Sequence, residues 1–139
     1  MSELLDTAIQ KVKEAKTSFC QFITGNDTGS IGSHQAGFYI PKAAAKLLFG
    51  EECKKGVNRE KWVKIKWQND FETDSRFIYY GQGTRNEYRI TRFGHYFEFL
   101  TDKYVGSLLV IAEQTEDYYQ AFVLESDDEI ETFLSCFSL

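Results

Sequence analysis

Arg85, Glu87 and Arg89 recur at every second position of the stretch Gly81–Gly94. In an extended chain alternate side chains share a face. Arg85, Glu87, Arg89 and Thr91 then lie together, and Asn86, Tyr88, Ile90 and Arg92 lie opposite. A guanidinium is a two-pronged donor that fits the O6 and N7 acceptors of guanine, and a carboxylate accepts from the N4 amino group of cytosine. A strand carrying both can read G and C edges in a major groove. Asn86 could buttress the chain or bond adenine, while Thr84 and Arg92 suit phosphate, which positions a protein without specifying sequence. Tyr88 could stack or hydrogen-bond. A solvated strand with self-compensating charges explains the same row, and the residues alone leave that choice open.

Other chemistry is sparse. The two histidines are His34, in a glycine-rich stretch where its ring could meet a base edge or phosphate, and His95, to which no role is given. Glu14-Ala15-Lys16 and Glu52-Cys53-Lys54 match the ExK half of a metal-dependent nuclease motif, but such tripeptides arise by chance in any charged chain. The single proline, Pro41, is followed by Lys42, so the PD half is missing, and no HxK element occurs. Gly81-Gln82-Gly83 lacks the third glycine of a dinucleotide site. Cys20, Cys53 and Cys136 have no metal-site spacing and are expected to be reduced, mostly buried thiols. The expectation is therefore no catalytic site, no metal and no cofactor within this chain.

Two blocks carry a family resemblance. Thr84-Arg85-Asn86-Glu87, then Arg89-Ile90-Thr91-Arg92, Phe93 and Gly94, resemble the second DNA-contacting arm of the effector domain of EcoRII-type restriction endonucleases. Asn26-Asp27-Thr28-Gly29, then Gly32, His34-Gln35, Gly37 and Tyr39-Ile40-Pro41, resemble its first arm. The resemblance implies a DNA-binding pseudobarrel like that of the plant B-three-type transcription-factor domain, which clamps duplex DNA without cutting it. It implies DNA contacts from Ser33, His34, Gln35, Tyr39, Thr84, Arg85, Asn86, Glu87, Tyr88, Arg89 and Arg92. It also implies a CCWGG target (W being A or T) and a fused or associated nuclease catalytic domain. The chain departs from EcoRII, which has lysine at the positions of Gly83 and Tyr88. A stand-alone regulator of the same fold, a small metal-dependent nuclease and an RNA-binding barrel are the competing readings.

The elements that must position these residues are legible from periodicity. Leu4, Leu5, Ala8, Ile9, Val12 and Ala15 follow helical spacing from Glu3 to about Lys16. Phe19 to Thr24 reads as a strand, Gly25 to Ser33 as loop, and Ala36 to Ile40 as a strand. Pro41 reads as the first residue of a helix that stops at Gly50. Lys61 to Trp67 alternates, with Val63, Ile65 and Trp67 inward, and Arg76 to Tyr80 leads into Gly81–Gly94, read as a projecting arm. Tyr96 to Leu100 follows as a further strand. Ser107 to Glu113 and Tyr118 to Glu125 form an antiparallel pair, and Ser126 with Glu129 make a capping box for a final helix.

The chain of 139 residues fits one domain, expected to span 1–139. Many short strands with few marginal helices give a β-dominated mixed α+β fold, a pseudobarrel with flanking short helices. The net charge is −5, yet Gly25 to His95 holds 12 Lys/Arg against 8 Asp/Glu, whereas Tyr96 to Leu139 holds 1 against 10. The basic excess coincides with both blocks, and local potential is what steers a polyanion. No apolar run approaches the roughly 20 residues needed to cross a bilayer, and the acidic, polar opening is unlike a signal peptide. The expectation is a cytoplasmic bacterial or archaeal protein whose partner is double-stranded DNA, with no membrane association.

Overall fold

The computed structural model describes residues 2–28, 37–94 and 97–137, and of Leu47 the backbone only. The opening helix, α1 (Glu3–Glu14), starts at Ser2, whose hydroxyl accepts the Leu5 N–H at 3.1 Å. It stops short of Lys16 because Ala15 turns to extended backbone. After β1 (Ser18–Phe22), residues expected as loop make a single helical turn, α2 (Gly25–Thr28). Thr24 nucleates it by accepting the Asp27 N–H on its hydroxyl at 3.2 Å.

After β2 (Phe38–Ile40) comes α3 (Lys42–Phe49). Pro41 is its N-cap rather than its first turn, and Gly50 ends it in the left-handed region at φ 79°. Four more strands follow: β3 (Arg59–Trp67), β4 (Glu72–Tyr80), β5 (Glu87–Thr91) and β6 (Leu108–Thr115). β7 (Tyr118–Leu124) leads to α4 (Asp127–Cys136), capped as expected by Ser126, which accepts the Glu129 N–H at 3.1 Å. Residues 97–100 form no strand. Their aromatics are used instead to fill the core: Phe97 and Phe99 lie 4.6 and 5.6 Å from the Trp67 ring.

The seven strands pair in the order β1-β6-β7-β3-β4-β5-β2 and curl into a nearly closed barrel. Neighbours are antiparallel except β3 and β7, where Lys64–Trp67 run parallel to Tyr118–Ala121. One core fills the interior, built from Val63, Ile65 and Trp67 of β3, Phe77 and Tyr79 of β4, and Tyr88 and Ile90 of β5, with α3 adding Ala45 and Leu48. A second core lies on the outer side of β6 and β7, where α1 and α4 bury Leu108, Val110, Phe122 and Leu124. β6 is therefore covered on both faces, which is why Leu108–Ala112 is an unbroken apolar run and not an alternation. The outer face of β3, β4 and β5 lacks these two helices, and its sequence is correspondingly polar, charged and aromatic.

Candidate nucleic-acid interface

β5 is not a projecting arm. It sits inside the sheet between β4 and β2, with Tyr88 opposite Tyr79 on one side and Ile40 on the other. Only the hairpin tip between β4 and β5 stands clear, with Gln82, Gly83, Thr84 and Asn86 exposed. The preceding connection props this tip. Asn58 Oδ1 accepts the Gly81 and Gln82 N–H groups at 2.9 and 3.3 Å, and Lys55 Nζ donates to the carbonyls of Gly81 and Gly83. Asn86 Oδ1 accepts from the Tyr79 hydroxyl at 2.8 Å, so this amide does buttress the turn.

Alternation along β5 sends Tyr88 and Ile90 into the core and turns Glu87, Arg89 and Thr91 to the outer face. Arg85 lies over the Tyr80 ring, its guanidinium carbon 3.7 Å from the ring centroid, and pairs with Glu87. Its side chain is 38% exposed. The other Glu87 oxygen lies 3.4 Å from Arg89 Nε. On the same face Arg76 donates to Thr91 Oγ1 at 3.2 Å and to the Tyr80 hydroxyl at 3.4 Å, and it pairs with Glu60. Trp62, in register with Arg76, is 51% exposed. Nothing in the sequence pattern singled out Arg76, Tyr80 or Trp62. The alternation of β3 and β4 places them on this face, and pairing across strands sets Trp62 beside Arg76, while Arg76 reaches the hydroxyl of Tyr80, the ring under Arg85.

Two expected contact residues are buried. Tyr88 packs 4.7 Å from the Tyr79 ring, and its hydroxyl accepts the Cys53 N–H at 3.1 Å. Burial raises its pKa. Arg89 is 3% exposed although it faces outward, because the root of the first block folds over it. Its Nη1 donates to the Gly37 carbonyl at 2.9 Å and meets Asp27 Oδ1 at 3.3 Å. Neither side chain presents surface to a duplex in this conformation. Tyr39 is half-buried on β2 opposite Arg89. Arg92 is exposed, with φ 71°, and its carbonyl accepts from Ser75 Oγ at 2.8 Å. Ser33, His34 and Gln35 lie outside the described residues, as does His95.

Lys64 and Lys66 pair with Asp74 and Asp70 at 3.4 and 3.7 Å, consistent with a solvated strand face. Cys20 and Cys53 are half-buried, whereas Cys136 is exposed rather than buried as expected. No group of three or more His, Cys, Asp or Glu able to hold a metal ion occurs among the described residues. No helix among them is long and apolar enough to cross a membrane.

Comparison with known proteins agrees with the fold. The B3 domain of the UbaLAI restriction endonuclease, solved with cognate DNA, superposes with a TM-score of 0.53 over 98% of this chain and 89% of that domain. At 17% identity this likeness concerns the fold alone. The type II restriction enzyme EcoRII of Escherichia coli is 30% identical over 102 residues, covering 68% of this chain and 25% of the enzyme. The chain thus matches about a quarter of that relative's length. The family described as "Restriction endonuclease EcoRII, N-terminal" matches residues 12–137. The chain belongs to the EcoRII N-terminal domain family.

Proposed function

We propose that residues 1–139 act as one module, the DNA-recognition effector domain of an EcoRII-type restriction endonuclease, and bind duplex DNA sequence-specifically through the major groove. The observation that carries this reading is the exposed β4–β5 tip, where Arg85 is held over the Tyr80 ring beside Glu87 at the edge of a sheet face that α1 and α4 do not cover. A guanidinium held between a ring and a carboxylate has few rotamers left to lose when it meets a duplex. In this reading Arg85 and Glu87 meet base edges, and Thr84, Asn86 and Arg92 reach base or phosphate. Ser33, His34, Gln35 and Tyr39 contribute from the first block, while Tyr88 and Arg89 act from beneath the surface. Family membership makes CCWGG the first target to test, and a restriction-endonuclease domain of the same fold was solved with its cognate DNA.

DNA cleavage belongs, in this proposal, to a catalytic domain fused to or associated with the module, as the longer EcoRII relative suggests. A DNA-directed enzyme of this kind works in the bacterial or archaeal cytoplasm. The test is a titration of a CCWGG duplex and a scrambled duplex across a salt series, backed by selection from random duplexes. Affinity should fall with salt at a logarithmic slope of roughly −0.9 per phosphate contact, with tighter binding to one selected sequence. Salt-independent binding, or none, refutes the proposal. Incubation with magnesium should leave the duplex intact when this chain is alone.

A further inference from the structure

Asp27 is 1% exposed, and its carboxylate gathers three parts of the chain. Oδ2 accepts the Thr24 N–H at 2.9 Å, Oδ1 accepts the Tyr39 N–H at 3.0 Å, and Oδ1 meets Arg89 Nη1 at 3.3 Å. Thr24 immediately precedes the first sequence block and Tyr39 lies near its far end, so the carboxylate ties the start and the end of that segment to one point. The Asp27 carbonyl accepts the Gly37 N–H at 3.2 Å, closing the same root through the backbone. Gly37 in turn lies directly on β5: a Cβ there would stand 2.5 Å from the Ile90 carbonyl oxygen. Arg89 crosses from β5 to this root, holding both Asp27 and the Gly37 carbonyl.

Two buried charges are a poor way to stabilise a fold. Each loses several kcal/mol of hydration, and well-packed apolar residues of the same volume often serve stability equally or better. What an ion pair supplies that an apolar contact does not is a fixed geometry. Here the geometry continues outward, from Asp27 to Arg89, from Arg89 Nε to Glu87 at 3.4 Å, and from Glu87 to Arg85 on the Tyr80 ring. Arg89 Nε lacks a well-directed hydrogen bond within this chain of contacts. The first block and the β4–β5 tip are therefore joined by side-chain charges as well as by the β2–β5 ladder.

We infer that Asp27 and Arg89 are positioning residues. Their buried pair sets the separation between the two segments that read DNA, and so sets specificity without either side chain touching a base. The inference rests on the reading that both segments contact DNA. The experiment compares Asp27→Asn, Arg89→Lys and the apolar double variant Asp27→Leu/Arg89→Met in the full chain. Each is titrated with a CCWGG duplex, or the selected sequence, and with a scrambled duplex at one salt concentration. Urea unfolding is measured in parallel, and amide NMR shifts are recorded without DNA.

A purely structural role would lower the folded fraction and weaken binding to both duplexes by one factor. A positioning role lowers the ratio of specific to scrambled affinity, by about tenfold if one base contact is misplaced. Asp27→Asn should also shift the amides of residues 84–87, none of which Asp27 touches in the contacts described above. An apolar double variant that folds and keeps the wild-type ratio overturns the inference, as do unmoved amides at 84–87 in Asp27→Asn. Should the wild type fail to discriminate between duplexes, the DNA reading fails, and the positioning role in specificity goes with it. The amide shifts would then report only whether the coupling exists. Arg89→Lys keeps the buried charge, so a loss of discrimination there, with the fold intact, assigns the effect to the two-pronged geometry.

Discussion

Removing the Glu87 carboxylate perturbs two guanidinium groups in different surroundings. Its link to Arg85 joins side chains 38% and 26% exposed, and after solvent screening it contributes about 0–1 kcal/mol. Its link to Arg89 reaches a guanidinium that is 3% exposed and has no other partner at Nε. Because Nε forms no hydrogen bond even with Glu87 in place, losing this 3.4 Å ionic contact with a partly exposed carboxylate costs about 0–1 kcal/mol. Glu87→Ala should therefore lower stability by about 1 kcal/mol, or the melting temperature by roughly 3–5 °C for a domain of this size.

Its effect on DNA binding has two opposed parts. A lost cytosine contact weakens specific binding by about 1–3 kcal/mol. A lost negative charge about 8 Å from a phosphate in watery surroundings strengthens binding to any sequence by about 0.5 kcal/mol, close to twofold. Specific affinity should thus fall while scrambled affinity rises slightly. Glu87→Gln, which keeps the shape and one acceptor, should retain more stability and show the same divergence. Fluorescence anisotropy with labelled specific and scrambled duplexes, beside urea melts, reads all four quantities. If both duplexes bind more tightly by one common factor, Glu87 reads no base and serves only to clamp the two arginines.

Tyr88→Phe removes a buried acceptor from the Cys53 N–H, so it should cost about 1 kcal/mol in urea unfolding and leave the ratio of specific to scrambled affinity unchanged. A drop in affinity at unchanged stability would instead place the hydroxyl on DNA. Gly37→Ala forces a Cβ to within 2.5 Å of the Ile90 carbonyl oxygen, so the β2–β5 ladder must shift. Its melting temperature and its specific affinity should both fall, and unchanged values would refute the close approach. Burial raises the pKa of Tyr88, Tyr104 and Tyr119 in the folded state. Their contribution is complete below the unfolded tyrosine value of about 10, and it is lost as pH rises from there towards the raised folded values. Unfolding free energy measured from about pH 8 to about pH 12 should fall over the upper half of that range, and a flat profile contradicts the burial.

Periodicity located what depends on neighbours in sequence. Val63, Ile65 and Trp67 point inward as their alternation requires, and Ser126 caps α4 through the Glu129 N–H. Alternation also placed the charged row of β5 on one face. It did not reveal that Arg89, on that face, would be covered, because the cover comes from Asp27 and Gly37, far away in the chain. Phe97 and Phe99 alternate like a strand, yet their rings are drawn onto Trp67 and the backbone there stays irregular. Lys55 and Asn58 look like ordinary loop residues. Their role in holding the hairpin tip exists only because β3 returns alongside β4. Short-range pattern is fixed by side-chain period, whereas burial of a polar group is fixed by whatever the topology lays over it.

The parallel seam between β3 and β7 has a consequence for inheritance. Among the described strands it is the one ladder joining β2–β5, drawn from a continuous stretch of chain, to β1, β6 and β7, drawn from both ends. Tyr39, Glu87 and Arg89, and the hairpin tip with Arg85, all fall within the continuous half. The helical layer of α1 and α4 packs on the other half. A graft of residues 38–91 from another family member must match its host along Lys64–Trp67 and Tyr118–Ala121, at the contacts of Arg89 with Asp27 and Gly37, and across the shared interior, while the layer formed by the two ends is left intact. Two crossover points, one before β2 and one after β5, would exchange Tyr39, Thr84, Arg85, Asn86 and Glu87 of the proposed interface in a single recombination event.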